Sequence, residues 1–352
     1  MVTAVFGDLN TKMLEWHYVF GKPSSYGTIK RTPEDFRVTE NLGVKPDGTG
    51  EHIWLHITKR RQNSDTVAKA LARYVNVAYR DVGYSGQKDF QAITQQWFSI
   101  YLPKKIDIDW GGFSLEGVVI DEINQNKRKI KRGTHQSNSF EIIVRDITDD
   151  NSELTERLSL IRQQGVPNYF GEQRFGRERR NINQAYSLLV EGKRFKDRNL
   201  KSLLYSSARS WLFNSVVSKR IEQGSWDTLY DSEPVNLNNS ASVFNADDDE
   251  RLNTRLLELD IHPTAPLWGK FSSDIVKEYG ELHEFEVNVL EPYTDYSNGL
   301  EQAGLKYQRR PIRLSVNNFE YSFSENNLRL CFDLSKGQFA TSVLRELIND
   351  IS

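Results

Sequence analysis

Cysteine is nearly missing from this chain: Cys331 is the one thiol in 352 residues, so no internal disulfide can form. That usage fits folding in a reducing compartment and argues against secretion. Long apolar runs are missing too. No stretch reaches the roughly eighteen residues of a membrane span, and the start, MVTAVFGDLNTKMLEW, has no basic segment leading into an apolar one. Both absences predict a cytoplasmic protein that is neither exported nor held in a membrane. The usual cofactor and nucleophile motifs are also lacking. There is no Walker loop, no GxGxxG after a strand, no GxSxG elbow and no cysteine pair for zinc. His52 and His56 could share one side of a strand, but no third ligand accompanies them, and they read as structural histidines. The expectation is neither metal nor cofactor.

Positive charge is not in excess. A net charge of -2 counts, as a total, against a nucleic-acid partner. Its distribution says otherwise. Basic residues gather in Lys127, Arg128, Lys129, Lys131 and Arg132, again in Arg174, Arg177, Arg179 and Arg180, and again from Lys193 to Lys201. Acidic residues gather elsewhere, from Asp146 to Glu153 and from Asp247 to Glu250. Any single run can be an ordinary solvated segment. Three of them let a near-neutral chain carry a positive face suited to a polyanion.

The length, with 38% hydrophobic and 11% aromatic residues, is enough for a sizeable core and suggests two domains. Strand-like and helix-like patterns alternate over the first 150 residues, which points to an α+β chain with helices packed on a mixed sheet. Glu51 to Lys59 is the clearest strand, with Ile53, Leu55 and Ile57 alternating against His52, Trp54 and His56. A helix follows, capped by Asn63 or Ser64 and apolar at Val67, Leu71, Tyr74 and Val75. Further helices run through Leu154, Leu158 and Ile161 to a stop at Gly165, and from Leu203 to Ile221. The polar stretch 231–250 reads as a surface excursion. No internal repeat is present.

The segment Tyr84-Ser85-Gly86-Gln87-Lys88-Asp89 precedes a strand rich in Thr94, Gln95, Gln96 and Trp97. Taken alone, it is a turn whose aspartate bonds its own backbone. Four other segments change its weight: PEDFRVTE at 33–40, NSFEI at 138–142, VPNYFGEQRFG at 166–176 and GQFATSVLRELI at 337–348. With SGQKDFQAITQQW at 85–97, they resemble the motifs of TruD-type tRNA pseudouridine synthases, in that family's order and across almost the whole chain. DRNLKSLLYSSARSWLFN at 197–214 adds a weaker match to the family's inserted domain.

The resemblance implies a fold, a reaction and a set of roles. The fold is a pseudouridine-synthase mixed sheet core with helices, residues 1–163 and 310–352, interrupted by a family-specific α/β insertion at 164–309 that faces it across an RNA-binding cleft. The reaction breaks the N-glycosidic bond of a uridine, turns the uracil and joins C5 to C1' of the same ribose, without a cofactor. The partner is tRNA, with the target commonly at position 13, and nothing implies an obligate protein partner, so a monomer is expected. Asp89 matches the family's catalytic aspartate. Attack on C1' and assistance to a glycal route remain open for it, and both need an ionised carboxylate.

By the same resemblance, Lys30, six residues before Phe36, pairs with Asp89. Lys88, next to Asp89, would point away in an extended chain and contact phosphate instead. Phe36 stacks on the flipped base or packs in the core. Asn138 reads the uracil edge or caps a turn. Phe140 shapes the pocket wall, and Phe339 completes the site. Lys127, Arg128, Lys129, Arg174 and Arg177 are candidates for RNA phosphates. Ser137 stands where the family commonly has Gly, which bears on the position of Asn138. Two other readings are a catalytically silent tRNA-binding protein and a glycosidic hydrolase pairing Asp89 with Glu40.

Overall fold

A computed structural model describes residues 16–103, 108–148, 151–246, 251–271 and 280–349. Contacts divide the chain into two compact units. One comprises Ser24–Asn151, Val316–Ala340 and Ile348–Ser352; the other comprises Met1–Pro23, Ser152–Ser315 and Thr341–Leu347. These contact boundaries lie between Asn151 and Ser152 and between Ser315 and Val316. Residues 152–163 and 341–347 cluster with the second unit, where Arg157 donates to the carbonyls of Gly21, Lys22 and Glu346. One guanidinium gathers three segments far apart in the chain, which no local pattern announces.

In the first unit the chain forms β1 (Phe36–Asn41), β2 (His52–Arg60), β3 (Val82–Tyr84), β4 (Ile93–Tyr101), β5 (Val118–Asn126) and β6 (Ser137–Val144), with α1 (Ser64–Tyr74) between β2 and β3. In the second unit lie β7 (Val166–Pro167), β8 (Pro234–Leu237), β9 (Val243–Asn245), β10 (Ile261–Leu267), β11 (Gln308–Pro311) and β12 (Arg313–Leu314). Its helices include α2 (Asn151–Gln164), α3 (Arg180–Leu189), α4 (Arg198–Glu222), α5 (Leu252–Leu257), α6 (Gly280–Leu290) and α7 (Thr294–Gln302). The chain then returns to the first unit for β13 (Asn317–Ser324) and β14 (Asn327–Ser335), and α8 (Ala340–Arg345) follows.

The large sheet runs β13-β14-β6-β1-β4-β2-β5, with β3 added on β4, and β1 and β4 are parallel within it. Period-two alternation decides which residues face inward. On β1 these are Phe36, Val38 and Glu40, all buried, while Arg37, Thr39 and Asn41 are exposed. Leu55 and Ile57 of β2 and Phe98 and Ile100 of β4 form the core against Val67, Ala68 and Leu71 of α1. The expected strand and its following helix are both present, although the described residues up to position 148 hold only this one α-helix. Ser64 does not cap the helix; its hydroxyl donates to Gln96 on β4 at 2.6 Å.

The second unit holds a four-stranded sheet, β11-β10-β8-β9. Asp197 starts α4 by accepting from the amides of Asn199 and Leu200. Gly165 ends α2 at φ 73°, where a side chain would meet the Leu314 carbonyl oxygen at 2.2 Å. The polar stretch 231–250, read from sequence as a surface excursion, contains the buried strand β8 instead. Glu233 before it is fully buried and paired at 2.6 Å with Arg220 of α4, so a polar composition conceals a satisfied internal charge pair. Residues 247–250 of that stretch lie outside the described residues.

Phe98 is fully buried and packs on Tyr84, with ring centroids 5.6 Å apart. Phe98→Ala should destabilise the protein by about 3–5 kcal/mol, read as a lower midpoint in urea.

Candidate active site

Thr28 pairs with Arg145 just beyond β6, and Phe36 pairs with Ile142 on the same strand, so the residues between them must loop out of the sheet. Lys30 sits in that loop with φ 56°, a left-handed conformation costing a non-glycine residue about 1–3 kcal/mol. The PED turn holds the loop. Asp35 accepts the Thr32 amide at 2.9 Å and two bonds from Arg145, at 2.9 and 2.6 Å. Burial alone would raise the Asp35 carboxyl, but Arg145 and the Thr32 amide bring it below the usual aspartate range. Lys30 is thereby delivered above the Phe36 ring, 4.2 Å from its centroid.

The Ser85–Asp89 loop is held almost residue by residue. The Ser85 carbonyl accepts the Gly133 amide at 2.7 Å, and its hydroxyl lies 2.5 Å from Nδ1 of His135. The Gly86 carbonyl accepts from Gln96 at 2.7 Å, and the Lys88 amide donates to Ser64 at 3.3 Å. Lys88 is spoken for: its ammonium lies 2.7 Å from Glu40, with side chains 7% and 0% exposed. This corrects the expectation that Lys88 would be available for phosphate, since the inward carboxylate of β1 needs a buried cation. It also removes Glu40 from service as a second reacting acid. Asp89, the next residue, keeps a side chain 40% exposed, with Oδ1 3.3 Å from the Lys30 ammonium. Lys30, rather than Lys88, is the lysine beside it.

Asn138 and Phe140 face the same side of β6 as Glu40 and Val38, their partners on β1. Phe140 meets Phe36 edge-on at 6.1 Å and stacks on Phe332 at 5.4 Å. The Asn138 Oδ1 is enclosed and has no hydrogen-bond partner among the described residues. Ser137 continues the ladder, paired with Asn41 and Ser335 and without a positive φ, so the strand does not need glycine there. Phe339 is half-buried in the turn after β14, closed where Gln338 accepts the Ser335 amide at 2.9 Å. β14 places that turn beside Asn138 through the pairs Leu334 to Asn138 and Ser335 to Ser137.

A family model described as tRNA pseudouridine synthase D (TruD) matches residues 14–197 and 194–347. The tRNA pseudouridine synthase D of Methylococcus capsulatus is 41% identical over 330 residues, covering 93% of this chain and 92% of its own. That of Cellvibrio japonicus is 39% identical over 338 residues, with coverage of 93% and 92%. The chain belongs to the TruD family. As a TruD protein it is an isomerase. A crystal structure assigned to TruD from Methanosarcina mazei shares the fold, with a TM-score of 0.71 at 21% identity, covering 95% of this chain and 96% of that one.

The expected site residues Lys30, Phe36, Asp89 and Asn138 lie in one unit. The basic candidates divide. Lys127 and Arg128 are exposed on the connection between β5 and β6, while Lys129 bonds the Arg80 carbonyl. In the second unit, Arg177 is 94% exposed, but Arg174 is half-buried, 5.5 Å from the Phe170 ring centroid and donating to Ser206. His56 rests against Trp97, with ring centroids 4.9 Å apart, and its Nδ1 lies 3.6 Å from Asp121. Sequence reasoning missed the roles of Glu40, Ser64, Gln96 and Lys59 in holding the loop. The signal was available for two of them. Glu40 and Lys59 are charged residues at inward positions of otherwise apolar alternating strands.

Glu40→Gln should cost about 3–5 kcal/mol by stranding the Lys88 ammonium, and chemical unfolding will show it. Burial, then the charges of Lys88 and Lys336, push the His135 ring from the usual 6.5 down to about 4. Between those values the folded state binds fewer protons than the unfolded one, so stability present above 6.5 declines as pH falls towards about 4. His135→Gln should flatten that decline, measured from urea midpoints at about pH 7 and about pH 5.

Proposed function

We propose that this enzyme converts a uridine of tRNA to pseudouridine, with position 13 as the target, Asp89 as the acting carboxylate and no cofactor. The observation that carries this reading is the half-exposed Asp89 carboxylate, 3.3 Å from an ammonium that lies over an aromatic ring. The balance of atoms is simple. The bond from N1 to C1' breaks, uracil turns, C5 bonds C1', the C5 hydrogen leaves as a proton and N1 gains one. Nothing is oxidised, so no redox partner is needed.

Lys30 supplies compensating positive charge for the carboxylate during that exchange. Phe36 and Phe140 offer ring surface near it, and a base out of its stack is held by such surfaces. Asn138 has an unpartnered carbonyl oxygen for the N3–H of uracil, and Phe339 closes the pocket beside it. Lys127, Arg128, Lys129, Arg174 and Arg177 contact the phosphate backbone, with Lys127, Arg128 and Arg177 best exposed for it. The enzyme works as a cytoplasmic monomer. Among the described residues, no helix is long and apolar enough to cross a membrane.

The test is tritium release from tRNA labelled at uracil C5, since forming the new bond must expel that hydrogen. The parent should release it, and Asp89→Ala should lose the rate by on the order of 10⁴-fold or more while still binding tRNA. A parent that binds without release would instead be a silent tRNA-binding protein. Release of free uracil would mean hydrolysis.

A further inference from the structure

The inward series of β2 runs through Leu55 and Ile57, both fully buried, and ends at Lys59, whose side chain is also 0% exposed. Lys59 pairs across the ladder with Thr94, itself fully buried, whose hydroxyl has no hydrogen-bond partner among the described residues. The Lys59 ammonium donates to two backbone carbonyls, those of Gln62 at 2.6 Å and Asp89 at 3.4 Å. No carboxylate forms an ion pair with it among the described residues. A leucine or methionine would fill this position in the core without the several kcal/mol that enclosing an ammonium costs. Packing therefore does not account for the charge. The two groups it holds do: the turn leading into α1, and the backbone of the residue whose carboxylate is to react.

We propose that Lys59 is a positioning residue for Asp89, gripping its carbonyl from beneath so that the carboxylate keeps its aim at the sugar. This rests on the reading of Asp89 given above. Lys30 approaches the same residue from the other end, at the carboxylate, so the two lysines hold Asp89 by main chain and side chain separately. The facing charges are Asp89 itself, whose charge favours the Lys59 ammonium, and Lys88, which opposes it and is engaged by Glu40. Lys30 faces the Asp89 carboxylate. Burial, partly offset by Asp89 and reinforced by Lys88, pushes Lys59 from the usual 10.5 down to about 8. A group titrating there is charged at neutral pH and loses its proton within reach of a rate measurement. Losing it removes one donor from a three-donor ammonium and the charge that strengthens the bonds that remain.

The experiment is single-turnover tritium release from C5-labelled tRNA, at saturating protein, followed from about pH 6.5 to about pH 9.5 for the parent, K59M and K59Q. Folding of each variant is checked by its urea midpoint. The parent rate should fall through an alkaline limb near 8. Each folded variant should be slowed on the order of 10- to 100-fold, the scale of a reacting group displaced by about an ångström, and should lack that limb. Its affinity for tRNA should change less than about threefold, because positioning acts on the bound complex. A folded variant with the parent rate overturns the proposal, as does a slowed variant that keeps the same limb. If neither variant folds, K59R decides, because a guanidinium stays charged beyond about pH 9.5: loss of the parent's alkaline limb in it supports the proposal, and the same limb in it overturns the proposal. A parent that releases no tritium at any pH overturns both the reaction assignment and this role, whereas an active parent with unaffected variants removes only Lys59.

Discussion

The buried ion pair between Glu40 and Lys88 is the constraint from which the site is built, because neither charge tolerates that interior without the other. Glu40 is inward by the pleat of β1, and its register against β6 leaves the carboxylate no way out to solvent. Lys88 must therefore come to it. Once Lys88 is held, the neighbouring Asp89 has little freedom left, and its carboxylate falls where Lys30 can reach it. A pair that takes no part in the proposed chemistry thus decides where the chemistry can happen.

The same logic runs through the rest of the loop. Gln96 and Ser64 are buried side chains that satisfy one another and the loop backbone at once. Together with Lys59, they turn the inward face of β2 and β4, apolar under α1, into a polar floor beneath residues 85–89. Strand alternation delivers these groups to one face. The loop is held without secondary structure of its own, with side chains meeting the Gly86 carbonyl, the Lys88 amide and the Asp89 carbonyl.

Buried charge by itself does not mark a reacting site in this protein. The second unit encloses Arg220 with Glu233 and Arg309 with Glu286, at 2.6 and 2.8 Å, and both pairs have the character of scaffold. Their carboxylates are fully covered. Asp89 differs in keeping 40% of its side chain open while its partner cation is largely covered. Lys30 also sits in a left-handed backbone conformation that only the surrounding Asp35 and Arg145 contacts justify.

The sequence by itself determined the strand at Glu51 to Lys59, the helix stop at Gly165 and the long helix around Leu204 to Ile221, because local periodicity and a glycine at positive φ suffice for each. Its motifs also marked the segments that carry Phe36, Asp89 and Asn138, with Lys30 six residues before the first. It could not show that residues 152–163 and 341–347 join the second unit, or that the polar stretch after Asp231 hides a buried strand. Those outcomes involve Arg157 and the Arg220 to Glu233 pair, whose partners lie far along the chain or inside it. The partner of Lys88 was likewise left to tertiary structure. A lysine beside an exposed aspartate reads as free for phosphate in a string of letters, and only the buried Glu40 carboxylate on a neighbouring strand takes it away.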